Sequence, residues 1–304
     1  MWLIAPALCR SRSVPVGVES KITPEALVHQ VRDLPSEPRV LRTLEELLAR
    51  DNTMLDRIAD LIRRKPARAA RTVRMASSAY FGHGARVDSL MEAIQRVGLN
   101  GVRKLVMFAV AAELVGHPLA AYRLTAPIVW HRAIACALAA GSLAEHSGAA
   151  DAHDAYTAGL LHGLGLVVID RHATRSGRTA AIESSGYPLD FAPAEREWLG
   201  FSHAEAGGTL IERWGFPPAV TTAVRHQLAP EEAPSHRQLC AILATARWSR
   251  SFLCVPEELI PELPSPGWLQ TAGIDVRDFG AWLTTVHRGF ERACEEQQLA
   301  QQGA

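Results

Sequence analysis

The stretch "AGLLHGLGLVVID", residues 158–170, decides how this chain is read. Apolar residues stand at nearly every position without strand-like alternation, which predicts a small interior helix built around one imidazole, His162. An imidazole in such a place invites a metal or acid–base role. The bland reading is a core histidine held by a hydrogen bond. Its neighbour Gly163 brings no group that helps with either kind of chemistry.

Outward from this stretch, nearly every periodic segment predicts a helix. In "EPRVLRTLEELLARD", Val40, Leu41, Leu44, Leu47 and Leu48 fall on one face. Thr53 with Asp56 resembles a capping box before "MLDRIADLIRR", and Pro66 starts the next segment. Ser89 with Glu92 opens a helix that ends at Gly98, and Asn100 opens "GVRKLVMFAVAAELVG". Thr125 with Pro127 opens the long "PIVWHRAIACALAAGSLAEHSG", stopped by Gly148. The pattern continues through 152–172. Ser202 with Glu205 then opens "HAEAGGTLIERWG", Pro217 and Pro218 begin "AVTTAVRHQ", and "HRQLCAILATARWSRSFL" follows. The proline-rich stretch 255–267 is a linker candidate before a last helix at roughly 275–299. No repeat of fixed period and no low-complexity tract interrupts the series.

Composition bounds the function classes. The chain has 304 residues, 48% hydrophobic, with 32 basic and 32 acidic side chains, as in an ordinary globular protein. Zero net charge supplies no global pull toward nucleic acid or a membrane surface, so such a partner would need a local patch. Five cysteines without a C-x-x-C pair read as reduced thiols, and "MWLIAPALC" makes a poor signal peptide. No stretch reaches the ~18 uninterrupted apolar residues of a membrane span. The expected location is the cytoplasm, with no membrane partner.

Twelve histidines are the unusual part of the composition. His131, His162, His203 and His226 occupy interior-looking faces or mouths of predicted helices, so a metal site within a helical bundle is one reading. Five blocks then appear in a familiar order and spacing: "RDLPSEPRVLRTLEELL", "ASSAYFGHGARVDSLMEAIQRVGLNGVRKLVM", "WHRAIACALAAGSLAEH", "AYTAGLLHGLGLVVI" and "FSHAEAGGTLIERWGFPPAVTTAVRHQ". From about Thr23 to Arg250 the chain resembles the HDOD domain, the HD-related output domain of bacterial signalling proteins. The resemblance implies an all-α fold, with an N-terminal helical bundle followed by a degenerate HD-like helical lobe. The corresponding divisions are an N-terminal arm at 1–20, the bundle at 21–120, the HD-like lobe at 121–254, and a linker with a C-terminal helix at 255–304.

In catalytic HD enzymes the metal site is a histidine, a His-Asp doublet and a later aspartate. On this chain the first histidine falls on His131 and the doublet's histidine on His162, while the doublet's aspartate falls on Gly163. The later aspartate belongs near Thr245, Ala246 and Arg247, and no Asp or Glu lies between Glu232 and Glu257. Two-metal hydrolysis needs anionic ligands, and neutral imidazoles leave the positive charge uncompensated. "HGLG" thus reads as the relic of a hydrolase doublet. His203 and His226 match places where some HD enzymes supply extra ligands, so a histidine-only site on His131, His162, His203 and His226 is the alternative.

The run "RRKPARAARTVR" concentrates Arg63, Arg64, Lys65, Arg68, Arg71 and Arg74. It reads either as a grip for a phosphate-bearing ligand, nucleic acid or an acidic protein, or as a solvated face that meets Glu45, Glu46 and Asp60. "DAHDAY", with Asp151, His153 and Asp154, reads as a helix start rather than a ligand cluster. "ASSAYFG", ending in Tyr80, Phe81 and Gly82, suits close packing between lobes, a ligand-lined cleft being the alternative. No nucleotide loop or nucleophile motif is present, and no cofactor is expected. The leading expectation is a non-catalytic signalling or scaffold module that contacts unidentified signalling proteins through the groove between bundle and lobe. The competing ones are a metal-dependent phosphohydrolase or cyclic-nucleotide phosphodiesterase, and a binder of phosphate groups or nucleic acid. The oligomeric state is open.

Overall fold

A computed structural model describes residues 22–30, 55–63, 89–98, 117–178, 181–184, 190–253 and 263–302, with isolated positions between 43 and 106. Among them there is no strand, and Leu119 and Leu124 form an isolated bridge. The helices are α1 (Pro24–Gln30), α2 (Leu55–Arg63), α3 (Ala126–Ser147), α4 (Ala152–Leu161), α5 (Leu164–Arg175), α6 (Ala192–Leu199), α7 (His203–Arg213), α8 (Pro218–Arg225), α9 (Arg237–Leu253), α10 (Pro266–Ala272) and α11 (Val276–Gln302). A further helical segment covers 90–98, and a 3-10 turn covers Ala120–Tyr122. The expected N-terminal arm, and the cysteines Cys9 and Cys254, lie outside the described residues.

Local signals place most of these helices where the residues predict them. Thr125 is extended before α3, with proline in the first turn, and Gly148 in the left-handed region stops it. The hydroxyl of Ser89 accepts the N–H of Glu92 at 3.1 Å. At the start of α7, the Glu205 carboxylate accepts both the backbone N–H and the hydroxyl of Ser202, each at 2.8 Å. Asp151 accepts the N–H groups of His153 and Asp154, both at 2.9 Å, so it caps α4 as a helix start should.

Two readings change. The apolar stretch around His162 is not one helix: α4 ends at Leu161, His162 and Gly163 form a turn, and α5 begins at Leu164. Periodicity cannot register this break, because residues 155–161 before it and 164–170 after it are all buried. The linker candidate is also shorter at its end, since Pro266 and Gly267 already belong to α10.

The central helix is α3, an Ala-rich rod that is long and apolar enough, by length and composition, to cross a membrane. Here it is the core helix: α4 packs along it, with α9, α10 and α11 on other sides. Helix α7 lies against α5 and α8, and α1 docks onto α5 and α7, where the Arg213 guanidinium donates to the Val28 carbonyl. One apolar core runs continuously from Leu27 and Ile58 through Leu143 and Leu160 to Phe290. Helix α11 therefore packs on its own chain, burying Phe279, Trp282, Leu283, Val286 and Phe290.

Candidate functional site

The turn between α4 and α5 carries the doublet position. His162 is buried, and its Nδ1–H donates to the Gly159 carbonyl at 2.6 Å, which leaves the lone pair on Nε2. The His162 carbonyl accepts the amide of the fully buried Gln227 at 3.0 Å, and that same amide also reaches the Val224 carbonyl at 2.9 Å. Gly163 has φ −89° and ψ 0°, a conformation open to L-residues. A Cβ placed on it meets nothing within 4 Å. Neither space nor backbone geometry therefore requires glycine there.

Gly165, two residues on, is the opposite case. A Cβ there would stand 1.8 Å from the His203 carbonyl oxygen and 2.8 Å from the Gly207 nitrogen. In "HGLG" the second glycine lets α5 and α7 touch backbone to backbone, while the first has no packing duty.

His203 opens α7 inside a buried polar cluster. One oxygen of the Glu195 carboxylate accepts both the backbone N–H and the ring Nδ1–H of His203, each at 2.7 Å. The other oxygen accepts the Tyr122 hydroxyl at 2.7 Å. Burial, the largest single influence on Glu195, pushes its pKa up, but the charge and hydrogen bonds of His203, with the Tyr122 bond, outweigh it and hold the carboxyl below its ordinary value. Tyr122 is pushed well above the usual phenol value, by burial first and then by the Glu195 charge. Asp170 holds the same connector from another side by accepting the Ala121 N–H at 2.7 Å, and burial raises its pKa.

The remaining HD positions are dispersed. His131 sits edge-on to Trp130 and to Phe290 of α11, at centroid distances of 5.4 and 6.1 Å. His226 is half-buried at the end of α8, and its pKa is lowered by burial and by Arg225 against the pull of Glu232 and Glu205. On α9, Thr245 is fully buried and Arg247 donates to the Gln227 carbonyl at 2.9 Å, a cation where the metal chemistry calls for an anion.

A divalent-metal centre of the HD type does not fit this donor set. Among the described residues no group of three or more His, Cys, Asp or Glu side chains is placed to hold a metal ion, so the four histidines are not gathered into one site. His162 and His203 do keep Nδ1 tied to an oxygen, the arrangement that turns Nε2 outward in metal-ligating histidines. The carboxylate that an HD centre needs beside the doublet histidine is absent, because Gly163 stands there. Of the basic run, Arg63 pairs with Asp60 at 3.2 Å on the surface, and Arg64, Lys65, Arg68, Arg71 and Arg74 lie outside the described residues, as do Tyr80, Phe81 and Gly82.

Sequence reasoning did not single out Glu195, Tyr122, Asp170 or Gln227. For Glu195 a signal existed: Ala192, Glu195 and Leu199 fall on one face of α6, so a carboxylate occupies an inward position of an otherwise apolar stripe.

Comparison with known proteins agrees with this architecture. The chain is 27% identical over 263 residues to an uncharacterized protein of Treponema pallidum (strain Nichols), covering 82% of this chain and 49% of that protein. It thus spans about half the length of the curated relative it matches. Among solved structures it is similar to a candidate signal-transduction protein from Marinobacter aquaeolei VT8, with TM-score 0.67 and 24% identity over 88% of this chain and 60% of that one. It is also similar to an HDOD domain protein of unknown function from Geobacter sulfurreducens, with TM-score 0.64 and 21% identity over 88% and 97%. A candidate phosphohydrolase from Shewanella amazonensis SB2B superposes with TM-score 0.63 and 22% identity over 89% and 97%. At these identities the likeness is one of fold. The HDOD domain profile matches residues 34–230, well over half of the chain, and the chain therefore belongs to the HDOD domain family.

Proposed function

We propose that this chain is a non-catalytic signalling module, a pseudoenzyme that relays a state through protein contacts and turns over no phosphoester. The observation that carries the reading is Gly163. Its position is open to a side chain and its backbone tolerates one, yet the chain supplies none at the point where a hydrolase needs a carboxylate. Arg247 on α9 adds to this, since its guanidinium, held on the Gln227 carbonyl, puts a cation in the stretch where a hydrolase supplies its later aspartate and would repel a divalent ion. The partners are other signalling proteins of a bacterial cytoplasm, a location in keeping with buried thiols such as Cys136 and Cys240 that form no disulfide. The description of the Marinobacter relative as a candidate signal-transduction protein points the same way.

The test is elemental analysis of the purified, tag-free protein after incubation with manganese, iron, nickel and zinc and desalting, alongside a phosphodiester hydrolysis assay. The expected result is no stoichiometric metal and no turnover. Hydrolysis that disappears in His162→Ala, while the variant stays folded, would overturn the reading in favour of a phosphohydrolase.

A further inference from the structure

Helices α4, α8 and α9 pack on one another, and the last carbonyls of α4 and α8 need partners from outside their own helices. At the end of α4, the Gly159 carbonyl accepts the His162 ring Nδ1–H at 2.6 Å, and the His162 carbonyl accepts the Gln227 amide at 3.0 Å. At the end of α8, the same amide nitrogen donates to the Val224 carbonyl at 2.9 Å. Arg247 of α9 then donates to the main-chain carbonyl of Gln227 at 2.9 Å. Arg247, Gln227 and His162 thereby form one run of hydrogen bonds from α9, past the end of α8, to the doublet turn.

The orientation of Gln227 shows what holds it. Both partners of its amide nitrogen are acceptors, so each amide proton has a carbonyl and the Oε1 end must face the other way. That oxygen is buried with no hydrogen-bond partner among the described residues. Gln227 therefore keeps its two donated bonds at the expense of its own acceptor. A guanidinium suits the far end of the run, because the C-terminal end of α8 carries partial negative charge.

In a catalytic HD lobe a metal ion ties the doublet to the later aspartate, whose position falls here near Thr245, Ala246 and Arg247 of α9. We propose that the run from Arg247 through Gln227 to His162 makes this junction instead, locking the doublet turn to α9 without a metal ion. Arg247 and Gln227 are its positioning residues. The lock deepens the non-catalytic reading above and rests on it, since a resident metal would make the junction itself.

Hydrogen exchange on the full chain, the Arg247→Met and Gln227→Met variants and the double variant tests the lock. In Arg247→Met the amides of 163–166 are expected to exchange at least about tenfold faster than in the parent, while those of α6 keep their rates. Unchanged rates at 163–166, or an equal acceleration in α6, would overturn the proposal. Because the two residues act in series, the double variant should exchange within about twofold of Gln227→Met alone. Accelerations that multiply would mean that the bonds act separately and would remove the lock. Arg247 is half-buried, so its single variant carries the test even where Gln227→Met fails to fold. In the parent, neither a chelator nor manganese should change the rates at 163–166, and slowing by manganese would assign the junction to a metal. Hydrolysis would defeat the non-catalytic reading by a different measurement, so the two failures are told apart.

Discussion

Replacing each glycine of "HGLG" by alanine separates fold from function at the doublet position. At Gly165 the new methyl would be placed 1.8 Å from the His203 carbonyl oxygen, where contacts below 3.0 Å are essentially never found. The obstacle is the backbone of α7, so no rotamer change relieves it, and α5 and α7 must part by about 1 Å or more. Overpacking of a tight interface costs about 1–3 kcal/mol. With no flexible side chain to yield, Gly165→Ala belongs at the upper end, about 3 kcal/mol, or a fall in melting temperature of roughly 6 °C or more. At Gly163 the methyl meets open space in an accessible conformation, and alanine reduces the freedom of the unfolded chain. Gly163→Ala should then be neutral or stabilising by up to about 1 kcal/mol. Thermal and urea denaturation followed by circular dichroism measure both. Equal stability of the two variants, or a loss at Gly163 exceeding that at Gly165, would refute the assignment of packing duty to the second glycine alone.

The buried carboxylates predict opposite responses to pH. Glu195 has a lowered pKa, so its stabilisation is present above the unfolded carboxyl value and is lost as pH falls through the folded one. Glu195→Gln is accordingly expected to cost about 2 kcal/mol at pH 7, with the gap to the parent narrowing as pH falls below the ordinary carboxyl range; a gap that stays constant from neutral pH into acid would contradict an ionised Glu195. Asp170 has a raised pKa, so its ionisation at neutral pH works against the folded state, and this penalty vanishes as pH falls below the unfolded value. Asp170→Asn, whose amide oxygen still accepts the Ala121 N–H, should be as stable as the parent or more so at pH 7, and should lose that advantage near pH 3; destabilisation at pH 7 in denaturation curves would count against it.

The residues alone determined the helices whose ends carry their own chemistry. Thr125, Pro127 and Gly148 bracket α3, Ser202 and Glu205 open α7, and Asp151 caps α4, each helix end being set by groups within four residues of it. The family was legible for the same reason: its blocks are linear patterns of caps and apolar spacing. The loss of the doublet carboxylate at Gly163 is likewise a fact of sequence.

Tertiary structure decided what depends on approach between distant segments. Which glycine of "HGLG" is indispensable follows from where the His203 carbonyl lies, a contact between helices that no spacing rule encodes. The role of Glu195 follows from its enclosure with Tyr122 and His203, since an inward carboxylate survives only where folding brings donors to it. The break at His162 and Gly163 was hidden because two buried helices in series share one unbroken apolar pattern. The seat of α11 on α3 was equally invisible, because an amphipathic face states that it will be covered, and only the packed chain selects the surface that covers it.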